Sequence, residues 1–153
     1  MAVMKGQEKG RFHDVATTFK FWVELDDIFV AGFSEVSGLE AETEIEEYRE
    51  GGVNGYVHKL PMGVRFPNLV LRKGMTKSPA LWSWYESTID GTIDRKTGAI
   101  VLQSADGTEF GRWSFFDAYP VRWTGPHLNA STSDIAVETI EIIHSGLYGD
   151  FQK

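Results

Sequence analysis

Apolar and polar residues alternate along residues 17–25: Phe19, Phe21, Val23 and Leu25 share one parity, and Thr18, Lys20 and Glu24 the other. A strand sends successive side chains to opposite faces, so this pattern predicts a half-buried strand, with Trp22 breaking its polar face. Asp26-Asp27 is a turn signal, residues 28–36 read as a second strand, and the two make a hairpin. Residues 39–48 fit two templates. As a strand, Glu40, Glu42, Glu44 and Glu46 share one face and Leu39, Ala41, Thr43 and Ile45 the other; as a helix, Ala41, Ile45 and Tyr48 share a stripe. The stricter alternation and the flanking Gly38 and Gly51-Gly52 favour the strand.

Residues 51–68 are Gly-rich and contain Pro61 and Pro67, which reads as a long loop. Unstructured loops of that length inside a compact domain are usually functional or disordered. A short strand follows over residues 68–73. Ser78-Pro79 is a helix start, with Ser as N-cap and Pro in the first turn. Leu81, Trp84, Tyr85 and Thr88 then follow helical spacing until Gly91. Residues 99–104 and 108–118 flank the hairpin turn Asp106-Gly107, Pro120 marks a bulge or edge, residues 121–123 continue the strand, and residues 134–143 form the last one. The sum is a mainly β fold, a small β-barrel or sandwich of about seven strands with one flanking α-helix, occupying residues 15–153 as one domain. Residues 1–14, polar and holding Lys5, Lys9 and Arg11, are expected to be a flexible N-terminal arm.

Charge is segregated along the chain. Residues 35–50 carry seven acids against one base, Arg49, for a net −6; residues 51–85 carry no acid and five bases (Lys59, Arg65, Arg72, Lys73, Lys77), for a net +5. Like charges on one strand face repel, so a monomer gains little from this layout. In head-to-tail copies an acidic face meets a basic one, which steers association and fixes register. Glu40, Glu42, Glu44 and Glu46 are therefore expected to form an acidic face lining a lumen or a subunit interface, with Lys59, Arg65, Arg72 and Lys73 as an inter-subunit basic patch. The opposing readings are that the two blocks pair within one subunit, or that the acidic row is a solvated face guarding against wrong strand pairing.

Composition narrows the field. The 153 residues are 42% hydrophobic and 24% charged, enough for one core, and the net charge of −7 disfavours phosphate gripping. The absence of Cys excludes disulfides, thiol catalysis and Cys-based zinc. His13, His58, His127 and His144 lack metal-pair spacing, and no phosphate-binding Gly loop or Gly-x-Ser-x-Gly elbow is present. No catalytic, metal or cofactor residues are assigned. Carboxylates abound, but nothing selects an acid–base pair. The five Trp, five Tyr and ten Phe leave open a small monomeric β-barrel that binds an apolar ligand. No apolar run is long enough to span a bilayer and the first 14 residues hold no apolar signal core, so synthesis in the cytoplasm without signal peptide or membrane anchor is expected.

Eight motifs in order carry a resemblance. They are Phe33-Ser34-Glu35-Val36-Ser37-Gly38-Leu39; Glu47-Tyr48-Arg49-Glu50-Gly51-Gly52; Lys59-Leu60-Pro61; and Asn68-Leu69-Val70-Leu71-Arg72-Lys73-Gly74. Leu81-Trp82-Ser83-Trp84, Asp117-Ala118-Tyr119-Pro120-Val121, Gly125-Pro126-His127-Leu128-Asn129-Ala130 and Val137-Glu138-Thr139-Ile140-Glu141-Ile142 complete the series. The chain resembles, over residues 17–148, the inner tube protein of contractile phage tails and related injection particles, the T4-type tail tube family. The resemblance implies a β-barrel or sandwich with one helix, and six copies in a ring whose lumen is a continuous β-barrel. It further implies stacking of rings head to tail inside a contractile sheath, with sheath and baseplate proteins as partners and DNA or a protein effector as cargo. The working location would be a virion tail or an extracellular or cytoplasmic contractile particle. The secreted ring-forming tube protein of type VI secretion is similar in fold. On this template residues 38–52 face the lumen and the neighbouring subunit, and residues 51–68 reach an adjacent subunit or ring.

Overall fold

The structure is a computed structural model that describes residues 20–151 apart from 27, 31, 53 and 54, with backbone alone for 28–30. The expected N-terminal arm lies outside the described residues. Ten strands and one helix are present among them: β1 (Lys20–Leu25), β2 (Ile28–Val30), β3 (Phe33–Ser37), β4 (Glu42–Tyr48), β5 (His58–Arg65), β6 (Leu69–Gly74), α1 (Ala80–Ile89), β7 (Lys96–Gln103), β8 (Glu109–Thr124), β9 (Val137–Ile143) and β10 (Gly146–Phe151). No helix among the described residues is long and apolar enough to cross a membrane.

All pairings are antiparallel, in the order β2-β1-β7-β8-β9-β6-β3, with β10 also on β8. The 16-residue β8 belongs to both layers. Its first part pairs β7 and β10, and its second part pairs β9. Between them Asp117 takes φ +54° and the register shifts again between Pro120 and Arg122. Bulges bend and twist a strand, which lets one strand turn the corner between two sheets. The core fills the space between the layers: Val23, Leu25, Ile100 and Phe115 from one side, Leu69, Leu71, Ile140 and Ile142 from the other. Helix α1 closes one flank with Leu81 and Trp84 buried, and Trp84 Nε1 donates to the Asp94 carbonyl at 2.8 Å.

The alternation read over residues 17–25 holds where the structure describes it, since Val23 and Leu25 are buried and Lys20 and Glu24 exposed. The Asp106-Gly107 turn joins β7 to β8, with Gly107 at φ +90°. Four expectations need correction. Residues 28–36 are not one strand, because Gly32 at φ +89° divides them into β2 and β3, which join different layers. Residues 51–68 are not one loop, because β5 lies inside them. The last strand starts at Val137, and β10 follows it. Helix α1 has Pro79 rather than Ser78 at its N-cap, and the Ser78 N–H donates instead to Thr76 Oγ1 at 3.3 Å.

Candidate assembly surface

Strands β4 and β5 form a separate two-stranded sheet that pairs with no other strand among the described residues. Every residue of β4 is exposed, and every residue of β5 but His58. The hairpin leaves the body on two legs that cross at Gly38 and Asn68. Gly38 has φ +86°, and a Cβ there would lie 2.0 Å from the Asn68 carbonyl oxygen, so only glycine lets the legs pass. The other leg is tied down: Asn68 Nδ2 donates to Glu141 Oε1 at 2.9 Å, and the Phe66 ring lies 5.7 Å from the His144 ring.

Register sorts the hairpin into two faces. Opposed residues share a face, and neighbours along a strand alternate. Glu42, Glu44, Glu46 and Tyr48 stand opposite Arg65, Gly63, Leu60 and His58. Thr43, Ile45 and Glu47 stand opposite Val64, Pro61 and Lys59, with the register shift leaving Met62 as the extra residue. One face thus carries three glutamates, with Tyr48 and Leu60 toward the tip, and the other carries Ile45, Pro61 and Val64, with Glu47 and Lys59 toward the tip. Ile45, Met62 and Val64 are 56, 63 and 58% exposed. An isolated two-stranded hairpin is at best marginal in water, and this one shows apolar side chains to solvent besides. Near its tip His58 Nε2 lies 3.5 Å from Glu50 Oε2, and the Tyr56 ring meets the His58 ring edge-on at 5.0 Å.

The sequence-assigned residues separate on this frame. Glu42, Glu44 and Glu46 share the acidic face, while Glu40 is exposed on the leg before β4. Arg65 and Lys59 stand opposite Glu42 and Glu47 on the same hairpin, so these acids and bases are neighbours within one chain. Arg72 is exposed on β6, with Nη1 3.7 Å from Glu35 Oε2. Lys73 does not belong to a surface patch. It is 4% exposed, its Nζ lies 3.2 Å from Glu138 Oε1, and Trp123 Nε1 donates to Glu138 Oε2 at 3.1 Å. Its alternation partner Arg72 points outward, and Lys73 therefore points in. The apolar face is only half legible in the sequence: the alternation over residues 39–48 sets Ile45 opposite the acidic row, whereas Val64 and the bulge residue Met62 fall in a segment that reads as loop.

A further charged cluster is structural. Arg112 bonds Glu109 Oε1 at 2.7 Å and Glu24 Oε2 at 3.2 Å across β1 and β8. The hydrogen bond from Arg112 holds the Glu109 carboxyl below its ordinary range, and the same bond raises the guanidinium. No group of three or more His, Asp or Glu among the described residues is placed to hold a metal ion. Among the described residues, strands β3 and β10 each pair on one edge alone.

A two-layer β fold with a hairpin standing off the body and strand edges left open among the described residues presents surfaces suited to contact with further chains. The model of the T4-like virus tail tube protein gp19 family matches residues 17–148, and the chain belongs to that family. Among solved structures, it is similar to a chain of the anti-feeding prophage cap that terminates the tube (27% identity, 99% of this chain and 100% of that one, TM-score 0.82). It is also similar to a chain of the sheath–tube complex of a PVC extracellular contractile injection system in the extended state (29%, 87% and 89%, TM-score 0.77). Hcp1 from Flavobacterium johnsoniae shares the fold at 15% identity (85% and 95%, TM-score 0.50). None of the curated proteins matches by sequence. The family is one of structural tube proteins, so the chain is a tube subunit.

Proposed function

We propose that six copies of this chain close into a ring, that rings stack head to tail into a tube, and that the tube works inside a sheath on a baseplate as the conduit for DNA or a protein effector. The observation that carries this reading is the projecting hairpin, exposed on both faces and apolar on one. Its apolar face gains free energy only against another surface, and about 25 cal/mol per Å² of apolar area favours that contact. The family and the sheath–tube relative supply the context of a second copy. The open edges of β3 and β10 add backbone groups that a neighbouring copy can pair. With the apolar face docked, Glu42, Glu44 and Glu46 are left on the free face, which on this reading lines the lumen and repels an acidic cargo. Glu40, Lys59, Arg65 and Arg72 lie at or near the same hairpin and join this proposal as contacts between copies. Many copies of a modest contact give a strong tube. On this reading the chain performs no catalysis and the particle is a phage tail or an injection device.

The test is light scattering and electron microscopy of the purified chain over rising concentration. Rings or tubes with a central hole are expected. Ile45→Asp with Val64→Asp is expected to abolish them while the unassembled chain keeps its urea midpoint. A wild-type chain that stays monomeric at high concentration overturns the reading.

A further inference from the structure

A cleft of about 370 Å³ separates the hairpin legs from the body. Leu39, Ala41 and Phe66 wall it on one side, and Trp113 of β8 with Leu147 and Gly149 of β10 on the other. Leu147 stands opposite the buried Phe115 and Gly149 opposite Trp113, so these residues lie on the core-facing side of their sheet. Leu39, Trp113 and Leu147 pack against the core and are only half-buried. Both walls are held by their own packing: the Trp113 ring meets the Phe151 ring edge-on at 5.0 Å, and the Phe66 ring lies 5.7 Å from that of the buried His144. The cleft is therefore preformed, and covering its apolar walls gains about 25 cal/mol per Å². Its lining holds a single charged group, the exposed Glu40. An apolar chain segment with a basic neighbour fits such a place.

The chain supplies such a segment within reach. The described residues begin at Lys20, which pairs with Gln103. Gly149 connects through Trp113 and Ile100 to Val23, three residues further along β1. The cleft thus lies three strands across and three residues along from Lys20, about 17 Å at ~4.8 Å per strand and ~3.3 Å per residue. Phe12, eight residues before Lys20, reaches up to about 26 Å in extended chain, enough for that distance and a turn. Val15, five residues before Lys20, reaches about 17 Å and leaves nothing for the turn. Charge agrees. Residues 1–12 carry Lys5, Lys9 and Arg11 against one acid, Glu8, and Arg11 adjoins Phe12 as Glu40 adjoins the apolar walls.

We infer that this cleft is the seat for the segment preceding β1 of the same chain, with Phe12 between the walls and Arg11 toward Glu40. Seated there, the segment ties the hairpin legs to β10 and takes apolar surface out of water before any second chain is met. The test uses the full chain at a concentration where it is unassembled, so it does not rest on the tube reading and fails separately from it. Because the chain has no Cys, introduced thiols report the contact without background. Phe12→Cys is paired with Leu147→Cys in the cleft, or with Tyr148→Cys on the opposite face of β10, where Tyr148 is 69% exposed. A segment that is merely tethered meets the more open Tyr148 position at least as often. A seated one should close the disulfide within one chain at least about tenfold faster at Leu147 than at Tyr148. Should Leu147→Cys fail to fold, Ala41→Cys on the other wall, an exposed position, takes its place with the same expectation. Equal rates, or a faster reaction at Tyr148, overturn the seat. So does a disulfide found only between chains, which would assign the cleft to a second copy.

Discussion

Replacing Lys73 by Met probes the buried charge pair directly. The Lys73 and Glu138 side chains are 5 and 4% exposed, and their charged atoms lie 3.2 Å apart. Without the lysine, Glu138 keeps one hydrogen bond, from Trp123 Nε1 at 3.1 Å, in a place closed to water. Breaking a buried pair on one side costs about 3–5 kcal/mol, because the remaining charge is uncompensated. For a chain of this size each kcal/mol moves the melting temperature by about 2–4 °C, so a fall of about 6–20 °C is expected. The double variant Lys73→Met with Glu138→Gln removes the charge while its amide oxygen still accepts from the indole. It should recover most of the loss. Urea unfolding followed by tryptophan fluorescence, at a concentration where the chain is unassembled, measures both. A loss below about 1 kcal/mol in the single variant refutes the reasoning. So does a double variant no better than the single one, since the loss would then be packing and not an unpaired charge.

Gly38→Ala puts a methyl 2.0 Å from the Asn68 carbonyl at φ +86° and should destabilise by at least about 1–3 kcal/mol in urea; Gly32→Ala, at φ +89° with open space around it, should cost less. Glu109→Gln should lower stability at neutral pH. Because Arg112 holds the carboxyl below its ordinary range, the wild-type advantage is present above the usual carboxylate range and fades as pH falls through the lowered value, so the two urea-midpoint curves should converge in acid. Arg72→Glu sets like charges at the exposed Glu35 contact and should cost the subunit less than about 1 kcal/mol, so a loss of assembly at low salt with an unchanged urea midpoint would place Arg72 between copies.

The elements legible in the sequence are those with one wet and one dry face. Val23 and Leu25 alternate with exposed Lys20 and Glu24, and the Asp106-Gly107 turn announces its hairpin; α1 shows its buried Leu81 and Trp84 at helical spacing. Strand β5 gives no such signal, because both of its faces are exposed and Pro61 and Gly63 sit inside it. A proline is tolerated there because the two-stranded sheet is all edge. Gly146 and Gly149 similarly mask β10. Charge segregation was visible along the chain, but partner choice was not. Lys59 and Arg65 lie across from acids of their own hairpin, and Lys73 turns inward to Glu138, sixty-five positions away in sequence, which no local pattern encodes.

The shared strand β8 has a mechanical consequence. Its 16 residues pass through both layers without a break in the covalent chain. A pull on one layer is therefore transmitted to the other through peptide bonds, and prising the layers apart cannot separate them until this strand is stripped from β7 and β10 on one side or from β9 on the other. Those ladders resist as sets of bonds sheared together when the pull follows the strand. The subunit gains its toughness from that route of load, beyond what its resting stability would indicate.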